Sequence, residues 1–250
     1  MNFDRFQILS LDGGGIKGLF AAAVLAHLED DLKVNIADHF DLITGTSTGG
    51  IIALGLGAGL RPKKIVEFYR ELGPSVFPQS KVEKLRMLAD PARRQSILKD
   101  ALQNKLGKKL LNDSAKRLVI PSYDLDSERV WMFKTRHHVD YTRDYREAMW
   151  KIALATSAAP MYFPAFTGID GVRLIDGGVC VNNPAMIGVL EAKKALGVSL
   201  EAIHVLSVST TSEVTEKSTR LTSGNGIAWL RHGIRVLLNV QGKTALDQLG

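Results

Sequence analysis

Phe40-Asp41-Leu42-Ile43-Thr44-Gly45-Thr46-Ser47-Thr48-Gly49-Gly50 is the stretch on which the fold turns. The apolar run Phe40 to Thr44 reads as a short buried strand, and it is cut off by G-x-S-x-G. From Gly49 to Leu60 the chain is small and apolar, the pattern of a buried helix. A serine held between a strand and a helix in this way fits a nucleophile elbow. Gly45 and Gly49 let a strained turn close, and the Ser47 hydroxyl then sits at a helix N-terminus, where the dipole favours developing negative charge. The same residues also fit a serine that merely caps the helix.

Upstream the arrangement repeats. Phe6 to Leu11 (FQILSL) is a strand candidate that meets Asp12-Gly13-Gly14-Gly15-Ile16-Lys17-Gly18, and helical spacing then runs from Ile16 to Leu32. Strand, glycine turn, helix, twice over, predicts βα units and a parallel sheet. Glycine-rich backbone at a helix start can aim several N–H groups at one anion, a phosphate or the oxyanion of acyl transfer, or it can be a tight turn alone. Gly13, Gly15 and Gly18 also satisfy the dinucleotide fingerprint, which wants an acidic residue closing the second strand. Here Asp38 and Asp41 precede or open that strand, and a serine elbow closes it. A Walker A loop fails because Leu19 and Ile51 stand where lysine is required.

Downstream, strands are predicted over 117–122, 129–135, 172–175 and 202–208, and helices over 145–156 and 184–196. From Gly226 the pattern is helical to Gly250 without a stop signal, which raises the expectation that the native chain continues past residue 250. The strand at 172–175 ends in Asp176-Gly177-Gly178. A carboxylate there can serve a serine as general base, with Gly177 and Gly178 permitting close approach, although Asp before Gly is also a common turn. A Ser-His-Asp triad in this chain order needs a histidine after Asp176. His204 falls inside an apolar strand and His232 inside a predicted helix. His137 and His138 are adjacent and diverge, and His27 and His39 have no partner spacing, so no metal is expected. A Ser-Asp dyad is the better reading, even though an ordinary aspartate, with a pKa of about 3.9, is a weak base.

The 250 residues are 45% hydrophobic and 23% charged, a soluble globular balance, with a net charge of +6. The excess is local: residues 61–117 hold 15 Lys/Arg against 6 Asp/Glu, and the rest hold 17 against 20. Within that segment Ile65, Phe68, Tyr69 and Leu72, and again Ile97, Leu98, Ala101 and Leu102, form helical stripes with basic opposite faces. Such a face suits an anionic lipid surface or plain solvent. The one cysteine, Cys180, excludes an internal disulfide and is expected to be buried. The N-terminus does not read as a signal peptide, no apolar run of about 18 residues appears, and the chain is expected to be cytoplasmic.

DGGGIKG, GTSTGG some thirty residues on and DGG further downstream, with the spacer ATSAAPMYFPAF and the following NNPA, together resemble the patatin-like phospholipase family. The resemblance spans about residues 6–208. It implies a three-layer α/β/α sandwich with a mostly parallel central sheet, forming a single catalytic domain over 1–250 with a basic helical insertion at 61–117. It implies hydrolysis of phospholipid acyl esters without a cofactor. Ser47 would be the nucleophile, Asp176 its partner, and Gly13, Gly14 and Gly15 the oxyanion hole. Lys17 keeps a basic residue common in the family. VLSVSTT at 205–211 departs from the family's frequent GTG-like turn. Short bacterial members of this kind resemble effectors of cyclic-oligonucleotide anti-phage signalling, implying a cyclic-nucleotide activator. The implied partner is a phospholipid membrane met from its inner face through segment 61–117, and no nucleic acid is expected. The alternative is a non-catalytic lipid- or nucleotide-binding module on the same fold.

Overall fold

Apolar runs that end in glycine turns build a six-stranded sheet in the computed structural model, which describes residues 4–76 and 90–210. The strands are β1 (Phe6–Leu11), β2 (Leu42–Gly45), β3 (Arg117–Asp124), β4 (Arg129–Lys134), β5 (Leu174–Asp176) and β6 (Ile203–Val208). Their order is β4-β3-β2-β1-β6, with β5 paired to β3. β6, β1, β2 and β3 are parallel to one another, and β4 and β5 are antiparallel to β3. The helices are α1 (Gly18–Leu32), α2 (Thr48–Gly57), α3 (Pro62–Val76), α4 (Pro91–Leu106), α5 (Met149–Thr156) and α6 (Ala185–Ala195).

Alternation along the strands sets the layers, because successive side chains point to opposite faces. Leu9, Leu11 and Ile43 enter the larger core with residues of α1 to α5. Phe6, Ile8, Leu42 and Val119 face the other way and pack with Ala192 of α6, Val198 and Ala202. This is the mostly parallel α/β/α sandwich the sequence implied.

Some expectations need adjusting. The helix predicted from 145 begins only at Met149. The backbone before it is already engaged: Tyr145 and Glu147 carbonyls accept from Asn112 and Leu111, and Ala148 bridges to Leu110. Cys180 is half-buried rather than buried. The helical pattern after Gly226, and His232 with it, lie outside the described residues.

Segment 61–117 supplies α3 and α4. The stripe Ile65, Phe68, Tyr69 and Leu72 is buried, as are Leu98, Leu102 and Leu106, while Ile97 and Ala101 are half-buried. Burial of each large side chain contributes about 1.5–3 kcal/mol. Asp90 caps α4 by accepting from the Arg93 amide at 2.9 Å, with Pro91 opening the first turn. Its basic residues are not all on open faces. Arg94 is buried, its guanidinium donating to the Tyr162 carbonyl at 3.3 Å and lying over the Phe163 ring. Arg61 pairs with Glu29 at 2.7 Å, and Lys64 with Glu67 at 2.8 Å. Among the described residues no helix is long and apolar enough to cross a membrane.

Candidate active site

β2 ends at Gly45 and α2 begins at Thr48, so Ser47 occupies the corner between them. Its φ of 54° and ψ of −120° are left-handed backbone for a non-glycine residue. Such a conformation costs on the order of 1–3 kcal/mol and persists only where the surroundings impose it. They do so here. Thr46 N–H donates to the Leu11 carbonyl at 3.1 Å, and the Thr46 hydroxyl to the Val181 carbonyl at 2.8 Å. Ser47 N–H donates to Thr156 Oγ1 at 3.0 Å, which itself donates to the Pro121 carbonyl at 2.6 Å. A side chain at Gly49 would run into the Leu11 and Asp12 carbonyls, so α2 can start against β1 only with glycine there.

Asp176 closes β5. Its amide donates to the Ala158 carbonyl at 3.0 Å, and one carboxylate oxygen accepts from Gly178 N–H at 2.7 Å. The other, Oδ2, accepts from the Ser47 hydroxyl at 2.6 Å. Two residues 129 positions apart are thereby brought into direct contact, both buried. Burial pushes the Asp176 carboxyl up to about 6, against the bonds from Ser47 and Gly178, which favour its charged form. No cation is within pairing distance of it among the described residues. A desolvated carboxylate in contact with a serine hydroxyl can take its proton.

The Gly13–Gly15 loop runs past Ser47. A Cβ on Gly13 would stand 3.4 Å from Ser47 Cβ and 2.5 Å from Asn182 Oδ1. Gly15 has a φ of +60°, which glycine adopts without strain. The three glycines are not equivalent. Gly13 N–H is committed to the Asn182 carbonyl at 3.0 Å, so it is not a donor to an oxyanion in this conformation. The Gly14 and Gly15 amides carry no such bond among the described residues. Lys17 ends the short turn Gly15–Lys17 and its amide donates to the Gly14 carbonyl at 3.2 Å. Gly177 and Gly178 form the turn after Asp176; a Cβ on Gly177 would meet the Pro121 carbonyl.

Among the described residues no histidine bonds to Ser47 or Asp176. His204 lies on β6, and His137 contacts Glu191 at 3.0 Å beside Lys134. Among the described residues no group of three or more His, Cys, Asp or Glu is placed to hold a metal ion.

Sequence reading missed Thr156, Asn182, Ser209 and Thr210, whereas Asn183 reads as the opening of the helix after it. Thr156 and Asn182 lie in the ATSAAP and NNPA stretches, where neither drew a role. Asn183 Oδ1 accepts from Ala185 N–H at 2.9 Å, opening α6, and its Nδ2 donates to Ser207 Oγ at 3.2 Å.

A strand-to-helix serine elbow on a mostly parallel sheet, with a carboxylate and a glycine loop converging on it, has the parts that serine acyl transfer uses. The patatin-like phospholipase family model matches residues 9–189, and the chain belongs to that family. It is 36% identical over 224 residues to the cGAMP-activated phospholipase of Escherichia coli strain TW11681, covering 84% of this chain and 63% of that protein. Its identity to the cGAMP-activated phospholipase of Pseudomonas aeruginosa is 37% over 208 residues, covering 82% and 62%. The chain thus spans less than two thirds of these relatives. Among solved structures, VipD from Legionella pneumophila superposes with a TM-score of 0.52 at 13% identity, covering 94% of this chain and 55% of that one, a likeness of fold.

Proposed function

We propose that this chain is a serine acyl hydrolase acting on fatty-acyl esters of membrane phospholipids. The observation that carries the reading is the 2.6 Å contact between Ser47 Oγ and Asp176 Oδ2 at a strained strand-to-helix corner. Asp176 accepts the Ser47 proton as Oγ attacks the ester carbonyl. The Gly14 and Gly15 amides receive the negative charge on the carbonyl oxygen. The alcohol leaves with the proton returned by Asp176, and an acyl-serine remains. Water, deprotonated by Asp176, then attacks that ester, and Asp176 passes the proton to the departing Ser47 Oγ as the fatty acid is released. The raised basicity of Asp176 is what lets a carboxylate alone do work usually given to histidine.

The names of the relatives support a further step, that a cyclic dinucleotide activates this chain too. For membrane attraction from the cytoplasmic side, the exposed basic residues Lys63, Lys64 and Arg93 are the candidates; buried Arg94 is not.

The test is hydrolysis of mixed phospholipid vesicles, with and without cGAMP, by wild type and Ser47→Ala. Fatty-acid release that depends on Ser47 is expected. Equal release by both proteins, or none under either condition, would overturn the reading and leave a binding module.

A further inference from the structure

We propose that Thr210 is a positioning residue of the oxyanion hole: its hydroxyl fixes the peptide plane that presents the Gly14 amide, and the Asp12–Ser209 pair holds it in place. The proposal rests on the acyl-hydrolase reading above and assigns a role to residues that reading leaves unused.

In a planar trans peptide the C=O of one residue and the N–H of the next point in opposite directions. Fixing a carbonyl therefore aims the following amide. The Gly13 carbonyl accepts from Thr210 Oγ1 at 3.1 Å, so Gly14 N–H is turned to the opposite side. The Gly14 carbonyl accepts from Lys17 N–H at 3.2 Å, which does the same for Gly15 N–H. Gly13 N–H is tied to the Asn182 carbonyl at 3.0 Å. Each peptide plane of the loop thus has one end fastened, and among the described residues the two unfastened ends are the Gly14 and Gly15 amides. Of these fastening groups, only Thr210 is a side chain, and it lies just past β6, 197 residues away.

Thr210 is itself held. Parallel pairing of β1 with β6 ends in Asp12 N–H donating to the Val208 carbonyl at 3.2 Å. One residue on, Ser209 Oγ donates to Asp12 Oδ2 at 2.7 Å. Asp12 is buried, and its other oxygen, Oδ1, has no hydrogen-bond partner among the described residues. Burial raises its carboxyl to about 6, more than the bonds from Ser209 and Asn183 lower it. The Ser209 bond is thus one of few that compensate a desolvated acid, and breaking it is costly. The Thr210 side chain also packs on the Gly14 Cα, where an added Cβ would stand 2.6 Å from Thr210 Cγ2. The departure from the family's GTG-like turn at 205–211 accordingly puts a hydroxyl on Asp12.

The experiment measures kcat and KM of the full chain on a short soluble ester, with fluorophosphonate labelling of Ser47 alongside. Thr210→Val keeps the shape and removes the hydroxyl; Thr210→Ser keeps the hydroxyl. Removing an oxyanion donor outright costs about 10²–10³ in kcat, and misaiming one should cost less, about thirtyfold, with KM unchanged. Thr210→Ser should restore kcat to within about threefold of wild type. A merely structural threonine would lower the melting temperature in both variants without this split. Wild-type kcat in Thr210→Val, or equal loss in Thr210→Ser, overturns the proposal. Should Thr210→Val fail to fold, Ser209→Ala carries the test: kcat should fall about fivefold at constant KM, and an unchanged kcat overturns the proposal. A wild-type chain that neither cleaves the ester nor takes the probe, with or without cGAMP, overturns the acyl-hydrolase reading itself, whereas an active wild type with an unimpaired Thr210→Val overturns this proposal alone.

Discussion

Asp176 and Glu191 are both buried carboxylates, and their surroundings drive them in opposite directions. Burial raises Asp176 to about 6 because its partners, the Ser47 hydroxyl and the Gly178 amide, are neutral. Burial acts on Glu191 too, yet bonds from His137, Lys134 and Tyr141 outweigh it and bring the carboxyl down to about 2. Lys134 Nζ donates to Glu191 Oε2 at 2.6 Å, and His137 Nε2 contacts Oε1 at 3.0 Å, tying α6 to edge strand β4 and the residues after it. The contrast teaches what separates a base from a brace. A carboxylate met by a lysine holds its charge as structure, and one met only by a hydroxyl and an amide retains an appetite for a proton.

The largest effect that can break this contrast comes from Asp176→Asn. Ester hydrolysis should fall about ten-thousandfold while the fold persists, since the amide keeps the shape and loses the base. Retained turnover would reduce Asp176 to a turn residue.

Next in size is stability. The folded carboxyl of Asp176 titrates above its unfolded value of 3.8, so the stability it contributes is complete below about pH 4 and is lost as pH rises through about 6. At pH 8 its ionisation costs on the order of 3 kcal/mol, and Asp176→Asn should raise the melting temperature by about 6–12 °C there. Glu191 has the opposite sign. Its folded value lies below the unfolded 4.5, so its contribution is complete above about pH 4.5 and is lost as pH falls through about 2. Glu191→Ala should destabilise the protein at pH 7 by about 3 kcal/mol, because Lys134 is left without its partner. A melting temperature that moves the same way in both variants would contradict the comparison.

A smaller effect is the pH profile. kcat/KM for a soluble ester should fall below about pH 6 as Asp176 takes up a proton, and the profile should be the same in Glu191→Gln. The smallest concerns the surface: reversing the charge of Lys63, Lys64 and Arg93 should weaken binding to anionic vesicles severalfold at low salt and leave soluble-ester turnover alone. Unchanged vesicle binding would return those residues to solvent.

Sequence reading located the strands, the glycine turns and the Ser47 and Asp176 positions because each is marked locally, by an apolar run or by glycines at fixed offsets. Partner choice is not local. Nothing near Gly13 says that its amide is spent on Asn182, which lies more than 160 residues downstream. Thr156 and Thr210 bond to carbonyl or amide groups of distant segments, and a hydroxyl's target leaves no pattern in composition or period. Arg94 reads as one more basic residue on a polar face, yet the first turn of α4 carries it under the 162–163 carbonyl and ring. The late start of α5 has the same origin, since residues 145–148 bond to 110–112 before helical spacing can begin.

The most direct test of the dyad is the rate at which a fluorophosphonate labels the protein at pH 8, with the adduct mapped by peptide mass, in wild type and Asp176→Asn, with and without cGAMP. Labelling confined to Ser47, and slowed about a thousandfold or more in Asp176→Asn, is the predicted result. An adduct on another residue, or equal rates in the two proteins, would contradict the assignment of Ser47 and Asp176 as one catalytic unit.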